Sequence, residues 1–535
     1  MVYQCRSAAL LLLAFATFVF AEVQVYQPDK LYKRSTDFGL RAGKSEVPVL
    51  SYDKYDYAHF SFDGEIELEV EVKGKVPLSK ISLVSSRFDR HNQLKLKKNT
   101  VVWRLKEEKY FILKVEGAKE LVIAVDPIDT NAPDPFGPGI YNVASGKYRA
   151  SRDGKQLSTP SFVAALADAA DSKAASPTVY VPRGMYLVGN LVLPSKTSLY
   201  LAPGAVLRFT GRPEDYTEHW AKDGEGRSGT NWITTAENST DIRIFGRGTI
   251  DGDAFAYKDA NFAPSILVPT LTKNFIFDGP ILRESGSTAV NVIRSSDVHI
   301  AHMKVFNRIT DMTDNGSVDI LESQNVTVRD SIGISEADSF TTKASKPPAP
   351  DRPTLPGSPQ NGLDILFKDC LAWTVNYGFK VGQGAVTDQT NIKFLGSTVY
   401  DAAVAMGIHK KWGNGIVSNV TFENMIVKST TYTTSHLSGM VGSWLALFIE
   451  DGKAGVGPIN DVHIKNVLVM VGGGSEPLIS GVAGANVTNV TFTNIWVPKD
   501  ATTNPTPAAS LEDLGLKNLR FTANITLHDG PSEEE

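Results

Sequence analysis

The chain is 535 residues long, 42% hydrophobic and 21% charged, with a net charge of −5. That is enough for two or more domains, and a slightly acidic chain with no basic stripe is not expected to bind nucleic acid. Its two cysteines are Cys5, in an apolar leader, and Cys370. The mature chain therefore has no intramolecular disulfide, and its stability must come from packing and backbone pairing.

The first residues, MVYQCRSAALLLLAFATFVFAEV, combine Arg6, an apolar run from Ala8 and the segment Val19-Phe20-Ala21. This is the pattern of a secretory signal over 1–21 with cleavage after Ala21, too short and wrongly flanked for a membrane span. A secreted, extracellular monomer with no membrane partner is expected. Residues 22–126 predict a β-sandwich: GEIELEVEV (64–72) alternates apolar and charged residues, and KISLV, VVWRL, YFILKV and ELVIAV follow at short spacing. DPIDTNAPDPFGPG (126–139) opens a linker expected over 127–157. STPSFVAALADAADSKAA (158–175) predicts a helix with Ser or Thr available as its N-cap.

From there to residue 535 the sequence repeats. Short strands of the form "Asn/Asp, apolar, any, apolar" begin at 241, 274, 297, 325, 364, 391, 419, 461, 489 and 518, with steps of 33, 23, 28, 39, 27, 28, 42, 28 and 29. A recurring step near 28, in units rich in Val, Ile, Phe and Thr and without helical rhythm, predicts a solenoid of stacked strands, a parallel β-helix over 158–535. LDILFKDCLAW makes Cys370 a buried small residue rather than a nucleophile.

Stacked coils bring equivalent positions about 4.8 Å apart. Thirteen residues from the strand starts lie Thr310, Asp338, Tyr377 and Val404; sixteen give Thr313, Thr341, Lys380 and Gly407; eighteen give Asn315, Lys343, Gly382 and His409. On this register Asp311, Asp314, Asp338, Lys343, Tyr377, Lys380, His409 and Lys410 converge on one strip. A solvated face would also carry charges, but carboxylates, lysines, a histidine and an aromatic together suit glycoside cleavage. One carboxyl protonates the leaving oxygen, another activates water, and cations and aromatics hold the sugar. Within GISEADSFTTK (333–343), strand alternation would put Glu336 and Asp338 on one face and Ala337 on the other.

Residues 161–207, with "PxGxY" and a strand ending in "PGA", resemble the N-terminal part of pectin-lyase-like right-handed β-helix proteins. GRGTIDGDAF (246–255) resembles the "G.G.IDG" coil of glycoside hydrolase family 28, the polygalacturonase family. TDNGSVDILESQNVTVRDSIGISEADSFTTK is similar to that family's "NTDG.DI…NVTI.NC…GDD.IAIK", NYGFKVGQG to "GHG.SIGS", and GIHKKWGNGIVSNVTFENM to "RIKTW.G..G.V.NVTFENI". The leading β-domain plus helix also resembles the dextranase family, glycoside hydrolase family 49.

The resemblance implies an acid and base from "NTD" and "DD", an assisting "GHG" histidine and a "RIK" pair that binds the sugar carboxylate. Carried over, Asp338 matches the second Asp of the pair, with Ala337 in place of the first. Asp314 matches the "NTD" aspartate if two residues are inserted; without them Gly316 does. Tyr377 stands at the histidine, Lys410 at the "RIK" lysine, and Ile408 replaces the arginine. Asp319 matches the "DI" aspartate and is read as capping a coil turn. The catalytic candidates are thus Asp338, as the acid, with Asp314 or Glu336 as its partner. Substrate-binding candidates are Asp311, Lys343 (which also neutralises Asp338), Tyr377, Lys380, His409 and Lys410. No metal or other cofactor is expected.

The implied activity is a secreted glycoside hydrolase cleaving a polysaccharide, with a pectin-type substrate favoured. A dextranase-like glucan hydrolase, a polysaccharide lyase and a non-catalytic carbohydrate-binding protein remain as alternatives. Among the sequons, Asn238 and Asn524 are the expected glycosylation sites, because several others belong to the "NVT" repeat itself.

Overall fold

The computed structural model describes residues 22–74, 80–87, 94–222, 226–310, 314–344, 355–433, 442–451, 454–499 and 503–528. The expected leader, Ala21 and Asp311 lie outside them. The chain is a β-sandwich followed by a right-handed parallel β-helix. In the sandwich, a sheet containing Tyr55–Asp63, Glu120–Pro127 and Tyr110–Val115 packs on one built around Phe38–Ala42, Ile66–Val72 and Thr100–Leu105. The alternation read in IELEVEV is real: Ile66, Leu68, Val70 and Val72 are buried and pack with Phe60, Trp103, Phe111 and Ile123 between the sheets.

The stretch 127–157, expected as a linker, contains two strands of the solenoid. Ile140–Asn142 pairs in parallel with Thr178–Val181, and Asp153–Leu157 with Gly184–Leu187, so these residues already form the first coil. They escape a hydrophobic-pattern reading because the first is only three residues long and the second is largely exposed. The helix Thr159–Ala170 follows, with Pro160 in its first turn and Phe162, Ala165, Leu166 and Ala169 buried. Ser158 precedes it without capping it through its side chain.

In the coils, nine of the ten predicted strand starts stack as expected. One row runs Ile242, Phe275, Val298, Val326, Ile365, Ile392, Val420, Val462, Val490 and Ile525, each residue beside the next. The last member corrects the reading: in the tenth strand, Thr522–His528, Asn524 rather than residue 518 takes the Asn/Asp place of the repeat. Behind this row Phe367, Phe394 and Phe422 stack face to face at 5.1 and 4.8 Å. The Asn or Asp at each of the ten starts has a positive φ, between 52° and 59°, a left-handed conformation these two residues tolerate best. Their side chains form ladders, as where Asn274 donates to Asp241 at 2.7 Å and Asn489 to Asp461 at 2.9 Å. Asn238 and Asn524 are exposed, and the Asn524 amide donates to Asn489 at 2.9 Å.

The sandwich docks on the outward face of the coils. Tyr52, Tyr55, Tyr57, Tyr110 and Ile112 pack against Ile281, Phe306, Ile332, Ile334, Leu371, Trp373 and Tyr400. Beside this seam Asp126 of the sandwich is fully buried. It accepts hydrogen bonds from Tyr110 at 2.7 Å and His59 at 2.8 Å, and pairs with Lys304 and with Arg247 (3.3 Å) from the coils.

Candidate active site

The strip lies on an eleven-stranded sheet, parallel but for Trp220–Lys222, that includes Val318–Leu321, Phe340–Lys343, Tyr377–Gly384, Val404–Trp412 and Ser443–Ile449. Along these strands Phe379, Val381, Met406, Ile408, Leu445 and Leu447 face the solenoid core, so the alternate positions face outward. Thr341, Lys380 and Gly407 stack in one row, as the repeat spacing predicts. One coil below, the row continues to Asp319 and not to Thr313. The segment between the strands is six residues longer than the constant count allows.

That extra length removes Asp314 from beneath Asp338. Gly316 lies there, its backbone against the Asp338 carbonyl, while the Ser317 N–H donates to that carbonyl at 3.0 Å. Asp314, with φ of 71°, forms an ion pair with Arg227 at 3.3 Å. Asp319, read as a turn cap, sits within a strand. It pairs with Lys343 at 2.7 Å and accepts from the Thr288 hydroxyl at 3.1 Å. Burial opposes the charge on Lys343, but Asp319, with Asp338 behind it, outweighs burial and leaves the lysine pKa raised.

Asp338 is held by the coil above. Its Oδ2 accepts from Lys380 Nζ at 2.9 Å and its Oδ1 from the Tyr377 backbone N–H at 3.3 Å. Lys380 therefore neutralises Asp338, the part expected of Lys343. Burial pushes the Lys380 pKa down, Asp338 partly restoring it, and its ammonium lies 4.3 Å from the centre of the Tyr377 ring. Glu336, Ala337 and Asp338 form a bend rather than a strand, so the alternation argument for Glu336 does not apply. The bend is fixed by Asn315, whose side-chain oxygen accepts from the Glu336 N–H at 2.7 Å, and by the Ser335 and Thr374 hydroxyls on the Ala337 carbonyl. Glu336 and Asp338 are both half-buried at this corner.

The strand Val404–Trp412 corrects the carried-over motif by one residue. The middle residue of "RIK" must face the core if its neighbours face the substrate, and here the core-facing residue is Ile408. The outward places are then Gly407 and His409. Lys410 turns inward, level with the core residue Ile449, and donates to the Gly415 carbonyl. Burial lowers its pKa to about 8. Lys410 is thus not part of the strip.

His409 is 1% exposed, stacked on Phe448 at 4.2 Å, and its Nε2 meets Glu450 Oε1 at 2.8 Å. Burial, helped by Lys380 and Lys411, lowers its pKa to about 2. Glu450 escaped the sequence reading because a 42-residue step hides its register; the FIED that ends its strand was the available signal. Three buried polar atoms of the strip have no hydrogen-bond partner among the described residues: Thr341 Oγ1, Tyr377 Oη and His409 Nδ1. Burial raises the Tyr377 pKa, so its hydroxyl keeps its proton. Groups of this kind are costly unless something binds them.

The chain is a parallel β-helix with carboxylates and unsatisfied polar groups on one strip, and its family makes it a glycoside hydrolase acting on a polysaccharide. Residues 172–509 match the model of glycosyl hydrolases family 28, and the chain belongs to that family. Among solved structures, it is similar to the family 28 exopolygalacturonase of Yersinia enterocolitica (16% identity, 91% of this chain and 98% of that one, TM-score 0.54). It is also similar to Dex49A from Penicillium minioluteum (11% identity, 94% and 96%, TM-score 0.57). The hyperthermoactive exopolygalacturonase of Thermotoga maritima matches at 13% identity over 74% and 92%, with TM-score 0.54. At such identities the likeness is one of fold. No curated protein sequence matches the chain.

Proposed function

We propose that the protein is exported and hydrolyses an extracellular polysaccharide along this strip, with Asp338 at the centre of the reaction. The observation that carries this reading is the Asp338–Lys380 pair, set among the unpartnered polar atoms of Thr341, Tyr377 and His409. Paired with an ammonium, Asp338 enters as a carboxylate, the form that takes a proton from an attacking water. Glu336, two residues back on the same bend, is then the proton donor to the leaving oxygen, and the division of roles is that of an inverting hydrolase. This reverses the part expected of Asp338, because Lys380 rather than a carboxylate stands against it. Export rests on the leader, and no helix among the described residues is long and apolar enough to cross a membrane.

The pectin-type expectation leaned on Lys380, Lys410 and His409 as cations. Lys380 is matched by Asp338, Lys410 faces the core and His409 is uncharged, which favours the second reading, a hydrolase of neutral glycan. The test is a screen for reducing ends released from pectin, rhamnogalacturonan, dextran and xylan. Hydrolysis of one polymer, abolished in Asp338→Asn, supports the proposal. Unsaturated products absorbing in the ultraviolet would replace it with a lyase, and binding without turnover with a carbohydrate-binding protein.

A further inference from the structure

The outward position of His409 is where the family pattern, set in this strand's true register, has the lysine for a sugar carboxylate. In place of that cation the chain presents an imidazole fixed by a carboxylate. Glu450 can only accept, so the 2.8 Å contact assigns the ring proton to Nε2. Nδ1 is left as a bare lone pair on a side chain that is 1% exposed, and among the described residues no group donates to it. Phe448 stacks on the ring at 4.2 Å, Tyr377 lies 6.4 Å away at 28° to it, and the Glu450 contact holds the ring against flipping within that stack. Burial and the charge on Lys380 keep the ring neutral.

A bare lone pair accepts a hydrogen bond from a hydroxyl and repels a carboxylate oxygen. The described cations near it are each engaged by a carboxylate: Lys380 by Asp338, Lys343 by Asp319 and Lys411 by Glu450 at 3.9 Å. Gly407, the other outward place, offers no side chain.

We infer that His409, held by Glu450 as the Nε2–H tautomer, selects a neutral sugar unit beside Asp338 by accepting a hydrogen bond from one of its hydroxyls through Nδ1. This rests on the strip being the substrate site, as proposed above. His409 is then the specificity-determining residue and Glu450 its positioning residue.

The test is titration calorimetry on the full-length Asp338→Asn variant, which prevents turnover, with isomaltotriose and xylotriose as neutral probes and trigalacturonate as the acidic one. A neutral trisaccharide should bind about tenfold tighter than trigalacturonate or better. Adding His409→Phe, which keeps the stack on Phe448, should remove about tenfold or more of that affinity, and His409→Lys should bring trigalacturonate up. Glu450→Gln lets an amide donate to Nε2 and frees the other tautomer. It should weaken neutral binding and change the imidazole 15N shifts, which in the parent show a bare Nδ1 well below the ordinary histidine range. Because Glu450 lies at the surface, this variant still decides the matter if those at His409 do not fold. Tighter binding of trigalacturonate, neutral binding indifferent to His409 and Glu450, or no binding of any probe overturns the inference. If pectin is hydrolysed and trigalacturonate binds best, the inference falls while the hydrolase reading stands. If neutral sugars bind through His409 and nothing is cleaved, the hydrolase reading falls and the inference stands.

Discussion

The ring of Tyr377 lies over the backbone of Gly407 in the next coil, so close that a Cβ at Gly407 would sit 2.7 Å from the tyrosine Cε1 and 2.7 Å from the Ala446 carbonyl oxygen. The same ring carries the Lys380 ammonium on its face, so the position of one glycine sets the geometry at Asp338. Gly407→Ala should cost about 1–3 kcal/mol through overpacking and lower turnover by displacing Tyr377 and Lys380. Unchanged melting and unchanged activity would show that the ring does not need this place.

Asp338→Asn keeps the shape and one of the two acceptors that serve the Tyr377 N–H and Lys380, but removes the carboxylate. Activity on the substrate found by the polymer screen should drop about 100- to 10,000-fold with the circular dichroism spectrum intact. Glu336→Gln should abolish the alkaline limb of the pH–rate profile, where the donor loses its proton. Near-full activity in a folded Asp338→Asn protein would move the site elsewhere.

Lys380→Met leaves Asp338 at the strip without its ion-pair partner. With Lys380 1% and Asp338 14% exposed at the side chain, the loss should be roughly 3 kcal/mol, toward the lower end for breaking a buried pair. The double variant Lys380→Met/Asp338→Asn should recover most of that stability and none of the activity. If it is no more stable than the single variant, the pair is not what the lysine contributes.

Much of the solenoid was legible because one row of apolar residues repeats near every 28 positions, and a core row leaves a periodic trace. The first coil was not, since Ile140–Asn142 is only three residues long and Asp153–Leu157 is mostly exposed, and neither carries such a trace. Counting from strand starts placed Lys380 beside Thr341 but misplaced Asp314, because that count assumes a constant corner length and the corner before Val318 is longer. His409 and Lys410 were exchanged for a subtler reason. Motif matching aligned lysine with lysine, whereas the pleat decides which residue faces out, and Ile408 settles that. Glu450, 41 residues from His409, lies beyond any local pattern.

His59 gives a pH dependence at the seam. Burial, reinforced by Lys304, lowers its pKa from 6.5 to about 4 against the opposing pull of Asp126. The unfolded chain therefore takes up a proton before the folded one does, and stability should fall as pH drops from about 6.5 to about 4, by on the order of 3 kcal/mol. Asp126, held well below the ordinary carboxylate range with Lys304, His59 and Arg247 overcoming its burial, adds its own loss only at more acid pH. Denaturant unfolding at pH 7 and pH 4 should show this fall, and His59→Gln should remove most of it. Equal slopes in the two proteins would rule His59 out as the cause.

The seam also bears on how the two parts of the chain can come to exist. Ile281, Phe306, Ile332 and the Leu371/Trp373 pair belong to four successive coils, so each added coil lengthens an apolar stripe that the sandwich covers. A nascent chain makes the sandwich first, and the stripe is then laid against a finished surface one coil at a time. A chain begun after residue 126 would display the whole stripe to its neighbours, and its fate would be self-association rather than a smaller working enzyme.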